Sequence, residues 1–270
     1  MRRRISAWIP IVLGLVLGAL YEGAVLLGSG GLPLRIPIPY AVPIFDTPFA
    51  LVAAGVGYLC LERHRLRQDV RSAGMGSTLW LTALLALAHI AAQPDYPANP
   101  GVNAGIAPYF FFLSYLAGLA GIGLAAHSGE RSLPLRDRGR FAIGAGVVAL
   151  SAIVVVVVLE VRPLLPSMVR MPGRFTPFGL WSGVFVSAAA GAWALWGGLR
   201  RYFARDPFGG YLLLAAYIWM LGLIGVLICP YRYSIPWYLS GFARPLGVGV
   251  IFVGLLREQV WLYREARARK

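Results

Sequence analysis

The chain has 270 residues, of which 58% are hydrophobic and 13% charged. A soluble domain carries about 25% charged residues, which excludes that class, and the long unbroken apolar runs lack the alternation that barrel strands require. The formal net charge is +14, from 25 basic and 11 acidic residues, but it sits in short segments between apolar runs, where it reports membrane topology and not a nucleic-acid partner.

A membrane-spanning helix needs about 20 mostly apolar residues. Eight runs qualify: 8–28, 46–61, 77–93, 106–126, 141–160, 179–198, 209–229 and 235–256. The fold class expected is therefore all-α, a polytopic bundle of eight transmembrane helices. The first run follows "MRRR" as a signal peptide would, but no cleavage site follows it, so it reads as a retained span. Its "GLVLG", Gly14 to Gly18, is a small-residue pattern that lets helices approach closely. Glu22 lies about 14 residues into this span, or ~21 Å at 1.5 Å per residue. The segment that follows, "GSGGLPLRIPIPYAVPIFDTP", is rich in Pro and Gly and reads as an ordered cap, with Asp46 at the start of a short second span. The third span carries His89 and leads into a second Pro-rich cap, "QPDYPANPGVNAG". The fourth repeats the small-residue pattern in "LAGLAGIGLAA".

Connections alternate in charge. One set holds Arg2 to Arg4, then Arg63, Arg65, Arg67 and Arg71, then Arg131 to Arg140, then Arg200, Arg201 and Arg205, and finally Arg257 to Lys270. The other set holds few cations. The positive-inside rule then puts both termini in the cytoplasm, as an even number of spans requires. Cys60 and Cys229 fall at opposite faces of the bilayer and should not form a disulfide.

Charges inside a bilayer are costly and usually face the bundle interior. Arg244, in "YRYSIPWYLSGFARPLG", falls within the last span, at a depth similar to Glu22 and His89. Glu22 is the acidic residue well inside a span, so the expected arrangement pairs Arg244 with Glu22 and places His89 nearby. Such a group is either a structural ion pair joining the first and last spans, or an outward-open polar pocket that binds a ligand or senses a proton. An Arg snorkelling to the interface is a third reading. Aromatic residues gather toward the same face, Phe111, Trp237 and Tyr238 among them. An interfacial belt accounts for most of these, and the alternative is an aromatic wall for an apolar or flat ligand. The candidate ligand-binding set is thus Glu22, His89, Trp237, Tyr238 and Arg244. Neither haem nor metal is expected, because His64 and His127 lie far from His89 and no ligand cluster appears. No catalytic constellation appears either, so the chain reads as a non-enzyme.

The last span continues as "REQVWLYREARARK". This segment is either a basic amphipathic tail on anionic headgroups or a stalk that passes motion onward.

Two stretches, "LTALLALAHIAAQPDYPANPGVNAG" and "YRYSIPWYLSGFARPLGVGVIFVGLLREQVWLYR", resemble the MASE-type membrane-associated sensor domains. The likeness is to the eight-helix kind found ahead of bacterial histidine kinases and GGDEF diguanylate cyclases. It rests on Ala88-His89 before a Pro-containing loop, and on Trp237, Tyr238 and Arg244 before a helix ending Leu-Arg-Glu and Leu-Tyr. The family's fourth helix often carries a Trp–His pair, which "FFFLSYLAGLAG" lacks. The resemblance implies a sensory input domain over 1–256 and the start of a signalling helix over 257–270, with Arg257, Glu258 and Tyr263 as relay residues. It further implies a bacterial plasma membrane location, an unidentified small ligand, a kinase or GGDEF output in cis or trans, and homodimerisation. Such domains feed an output domain that these 270 residues do not contain, so the expectation is an excised input module or a stand-alone relative. A small-molecule transporter or channel is the alternative function.

Overall fold

Hydrocarbon offers the backbone no hydrogen-bond partner, so each long apolar run must satisfy its own N–H and C=O groups as a helix. A computed structural model describes residues 12–14, 16–21, 23, 40–93, 105–128, 137–170, 174–206, 208–229 and 234–268, with 137–141, 235–236 and 261–268 described by their backbone alone. The architecture is all-α apart from a short antiparallel pairing of Val169–Arg170 with Arg174–Phe175.

Among the described residues, seven helices are long and apolar enough to cross a membrane. They are α1 (Ala41–Arg67), α2 (Val70–Ala91), α3 (Ala107–Ser128), α4 (Asp137–Glu160), α5 (Pro177–Phe203), α6 (Gly209–Ile228) and α7 (Ile235–Ala268). The first expected span, 8–28, is represented by a shorter apolar helix, Val12–Tyr21. Its two glycines do what the small-residue pattern predicts: a Cβ on Gly14 or Gly18 would come within 2.6 Å of Leu214 or 2.2 Å of Tyr217 on α6.

Several boundaries differ from expectation, each for a local reason. The sequence Asp46-Thr47-Pro48 looks like a helix start, since Pro is favoured in the first turn. The helix in fact begins at Ala41, after Tyr40 in the left-handed region (φ 58°), and runs through Pro48. At its other end α1 continues to Arg67, so the arginines predicted to lie in a loop are helical. The turn to α2 is short. Gln68 adopts φ 53°, and the Asp69 side chain caps α2 by accepting from the Ser72 N–H at 2.7 Å. Helix α5 contains one π turn at Ser187–Gly191. Helix α7, by contrast, runs without a break from Ile235 to Ala268, continuing past residue 256 as expected.

Helices α1, α2, α3, α6 and α7 enclose the core, α5 packs on α3 and α6, and α4 leans on α2. Trp219 of α6 is the centre, fully buried between Gly118 of α3 and Gly247 of α7. Its ring meets Phe49 at 5.9 Å and Tyr115 at 5.7 Å, and its Nε1–H donates to the Arg244 carbonyl at 3.0 Å. Helix α4 is the most apolar of the seven and the least buried, which is what a lipid-facing helix shows.

Candidate functional site

Arg244 is 2% exposed, in the N-terminal third of α7 and immediately before Pro245. Its guanidinium lies 4.7 Å from the Phe49 ring centre, 5.0 Å from Phe111 and 5.5 Å from Tyr115, so three aromatic faces enclose it. Nη2–H donates to Asp46 Oδ1 in an ion pair, and Nη1–H donates to Ser114 Oγ at 3.2 Å. Asp46 is itself 2% exposed, and its second oxygen, Oδ2, accepts from His89 Nδ1–H at 2.5 Å. With the proton on Nδ1, His89 Nε2 accepts from Gln93 Nε2–H, 2.7 Å away and one helical turn further along the chain from α2.

The result is a hydrogen-bonded row, Ser114–Arg244–Asp46–His89–Gln93, drawn from α3, α7, α1 and the end of α2. Arg244 and His89 are brought together as expected, but through a different carboxylate. Asp46 is an ion-pair partner of Arg244 that the sequence reading does not name, and the expected partner, Glu22, lies outside the described residues. Pro48 makes Asp46 read as a helix-end residue in the sequence. Five residues of helix precede it, enough to carry its carboxylate inside the bundle.

Trp237 and Tyr238 stand beside this row and not in it. With Phe242 they surround Phe45, the neighbour of Asp46 in the chain, at ring distances of 6.4, 5.8 and 4.7 Å. Sequence reasoning misses Gln93, Ser114, Phe49 and Tyr115. Gln93 carries a usable signal, since it lies at i+4 from His89 in the expected span 77–93, although α2 itself ends at Ala91.

Bringing a charge inside is costly unless it is paired and hydrogen-bonded. Here the guanidinium and carboxylate neutralise one another, and the rings supply a favourable quadrupole to the cation. Among the described residues, two polar atoms around the row are buried without a hydrogen-bond partner, Arg244 Nε and Tyr115 Oη. The row therefore holds hydrogen-bonding capacity in reserve, and Gln93 can present either its NH2 or its carbonyl oxygen to His89.

The opposite end of the same two helices, α1 and α7, carries a second ionic group. Glu258 of α7 is buried and accepts from Arg63 Nη1–H at 2.5 Å and Nη2–H at 2.7 Å, a two-pronged pair, while Arg67 Nη1 lies at 3.4 Å. Arg257, predicted as a relay residue with Glu258, is exposed and donates to Tyr211 Oη at 2.7 Å. The Tyr263 side chain lies outside the described residues. Among the described residues, no group of three His, Cys, Asp or Glu side chains is placed to hold a metal ion. Cys60 and Cys229 are not joined in a disulfide. No family model, curated protein or solved structure matches the chain.

Proposed function

We propose that the chain is a sensory input domain of the bacterial plasma membrane, with eight spans counting the N-terminal one and both termini cytoplasmic. A stimulus in the membrane or periplasm changes the packing of the Asp46–His89–Arg244 row. The last helix carries that change to a kinase or cyclase output, in cis or in trans. One observation carries the reading: a single unbroken helix, Ile235–Ala268, bears Arg244 in the buried row and Glu258 in the ionic group at the Arg-rich end. Fourteen residues separate them, about 21 Å along the axis, so a movement at one level is felt at the other. The alternation of arginine-rich and arginine-poor connections supports the orientation. The sequence resemblance supports the signalling role.

The test is a fusion of the full chain, in frame after Lys270, to a diguanylate cyclase catalytic domain, read as cyclic di-GMP in cells. We expect the paired replacement D46L/R244M to change output at equal membrane abundance. Output identical to wild type across membrane and pH conditions that move the wild type would refute the sensory reading. Solute flux through proteoliposomes, with a silent fusion, would replace it by the transporter.

A further inference from the structure

The Arg-rich end contains more buried cationic donors than its carboxylates satisfy. Arg71 is 1% exposed in the first turn of α2, where the positive end of the helix dipole opposes it. One of its groups, Nη2–H, donates to Asp206 at 2.5 Å, while Nε and Nη1 are buried without a partner. Arg63 gives both terminal nitrogens to Glu258, and its Nε is likewise unpartnered. Arg63 and Arg71 both lie near the Phe208 ring, 6.0 and 5.8 Å from its centre, so the two guanidiniums share one aromatic neighbour. Arg67 and Arg201, each about 30% exposed, complete the group at its rim. Among the described residues, four guanidiniums thus face three carboxylates, Glu258, Asp206 and Asp69, and both Asp69 oxygens accept from Ser72, so Asp69 takes up none of the free arginine N–H groups.

A buried guanidinium N–H left unpaired is costly, and excess positive charge at a helix N-terminus adds to that cost. An oxyanion relieves both. Arginine is the residue best matched to phosphate oxygens, and basic pockets between membrane helices at the headgroup level bind anionic lipid heads. We propose that this end of the bundle holds a phosphate-type oxyanion between the α1–α2 turn and the α5–α6 connection, with Arg71 and Arg63 as its donors. The oxyanion is either the phosphodiester of an anionic phospholipid in the adjoining leaflet or free phosphate. The inference lies outside the Asp46–His89–Arg244 row but shares the Arg63–Glu258 pair with the sensory reading, and its test reads binding alone, so its failure is distinguishable from failure of that reading.

The test is thermal unfolding of the purified full chain in a neutral detergent. Phosphatidylglycerol is titrated against phosphatidylcholine, and sodium phosphate against sodium chloride at equal ionic strength. We expect a saturating rise in Tm with an anionic phosphate group and none with phosphatidylcholine or chloride. A response to phosphatidylglycerol alone identifies the headgroup as the source, and a response to phosphate as well admits the free ion. No phosphate-specific rise in either arm overturns the proposal and leaves buried water as the partner of these donors. R71M/D206L removes a cation together with its counter-charge, and should weaken half-saturation about tenfold or more, the factor carried by one charge-assisted hydrogen bond. R65Q, at an exposed position, should not. Equal half-saturation in R71M/D206L and wild type overturns the proposal. Should that variant not fold, native mass spectrometry of the wild type released from mixed phosphatidylglycerol–phosphatidylcholine nanodiscs decides. Selective retention of phosphatidylglycerol or of a phosphate adduct supports the site, and retention of both lipids in their bulk ratio overturns it.

Discussion

Removing Arg244 alone should damage the protein more than removing Arg244 and Asp46 together. In Arg244→Met the Asp46 carboxylate stays buried with only the His89 N–H to meet it, and breaking a buried pair in this way costs about 3–5 kcal/mol. In Asp46→Leu the guanidinium keeps Ser114 and three ring faces, but it loses its counter-ion, and His89 Nδ1–H loses its carboxylate acceptor. That change should cost a similar amount. In D46L/R244M neither charge remains. The principal loss is the acceptor of His89 Nδ1–H, worth roughly 1–3 kcal/mol. The two single effects should therefore exceed the double by at least about 3 kcal/mol of coupling energy. Unfolding of the four proteins in mixed detergent and sodium dodecyl sulfate, with free energies extrapolated to zero denaturant, measures this directly. Coupling below about 1 kcal/mol would show that the pair contributes as a surface ion pair does, and the account of the row as a desolvated, mutually dependent unit would fail.

Two further predictions concern packing and topology. A Cβ on Gly118 would lie 1.7 Å from the Trp219 ring, so Gly118→Val should destabilise by about 1–3 kcal/mol or more; a wild-type-like Tm would refute the wedge arrangement. Cys60 is fully buried and Cys229 partly exposed, so a small maleimide should label Cys229 well before Cys60 in the folded protein, and both together after unfolding. Labelling of Cys60 first would contradict the placement of α1.

Helix existence was legible because lipid leaves the chain few choices: each long apolar run of residues from 41 onward became a helix. What misled was local. Pro48 imitates a helix start and hides five residues of α1, and those residues decide whether Asp46 caps a helix or stands inside a bundle. The partner of Arg244 could not be read from depth alone, since depth fixes a level along the membrane normal but no angle around it. Glu22, read well inside a span, and Asp46, read at a helix end, cannot be ranked as partners of an arginine until the helix neighbours are known. The aromatic residues illustrate the same gap. Phe111 and Trp237 both read as interfacial, yet one covers the guanidinium and the other stacks around Phe45.

Helices α1 and α7 are joined twice, with the charges exchanged: Asp46 to Arg244 at one level, and Arg63 to Glu258 at the other. The two helices run in the same direction, yet the spacing is seventeen residues on α1 and fourteen on α7. The difference is about 4.5 Å of rise. Side chains on a helix lean toward its N-terminus, so each arginine must be rooted further along than the acid it reaches. Arg244 lies beyond Asp46 at the first level, and Arg63 beyond Glu258 at the second. The two offsets add to the observed difference. A charge swap at the second level, R63E/E258R, preserves the charges but inverts this geometry, since the arginine introduced on α7 would lean away from the glutamate introduced on α1. The swapped protein should thus recover less than half of the stability lost in Arg63→Met, measured by the same unfolding titration. Full recovery would mean that charge alone joins these helices at that level, and the reading of α7 as held in one register against α1 would have to be given up.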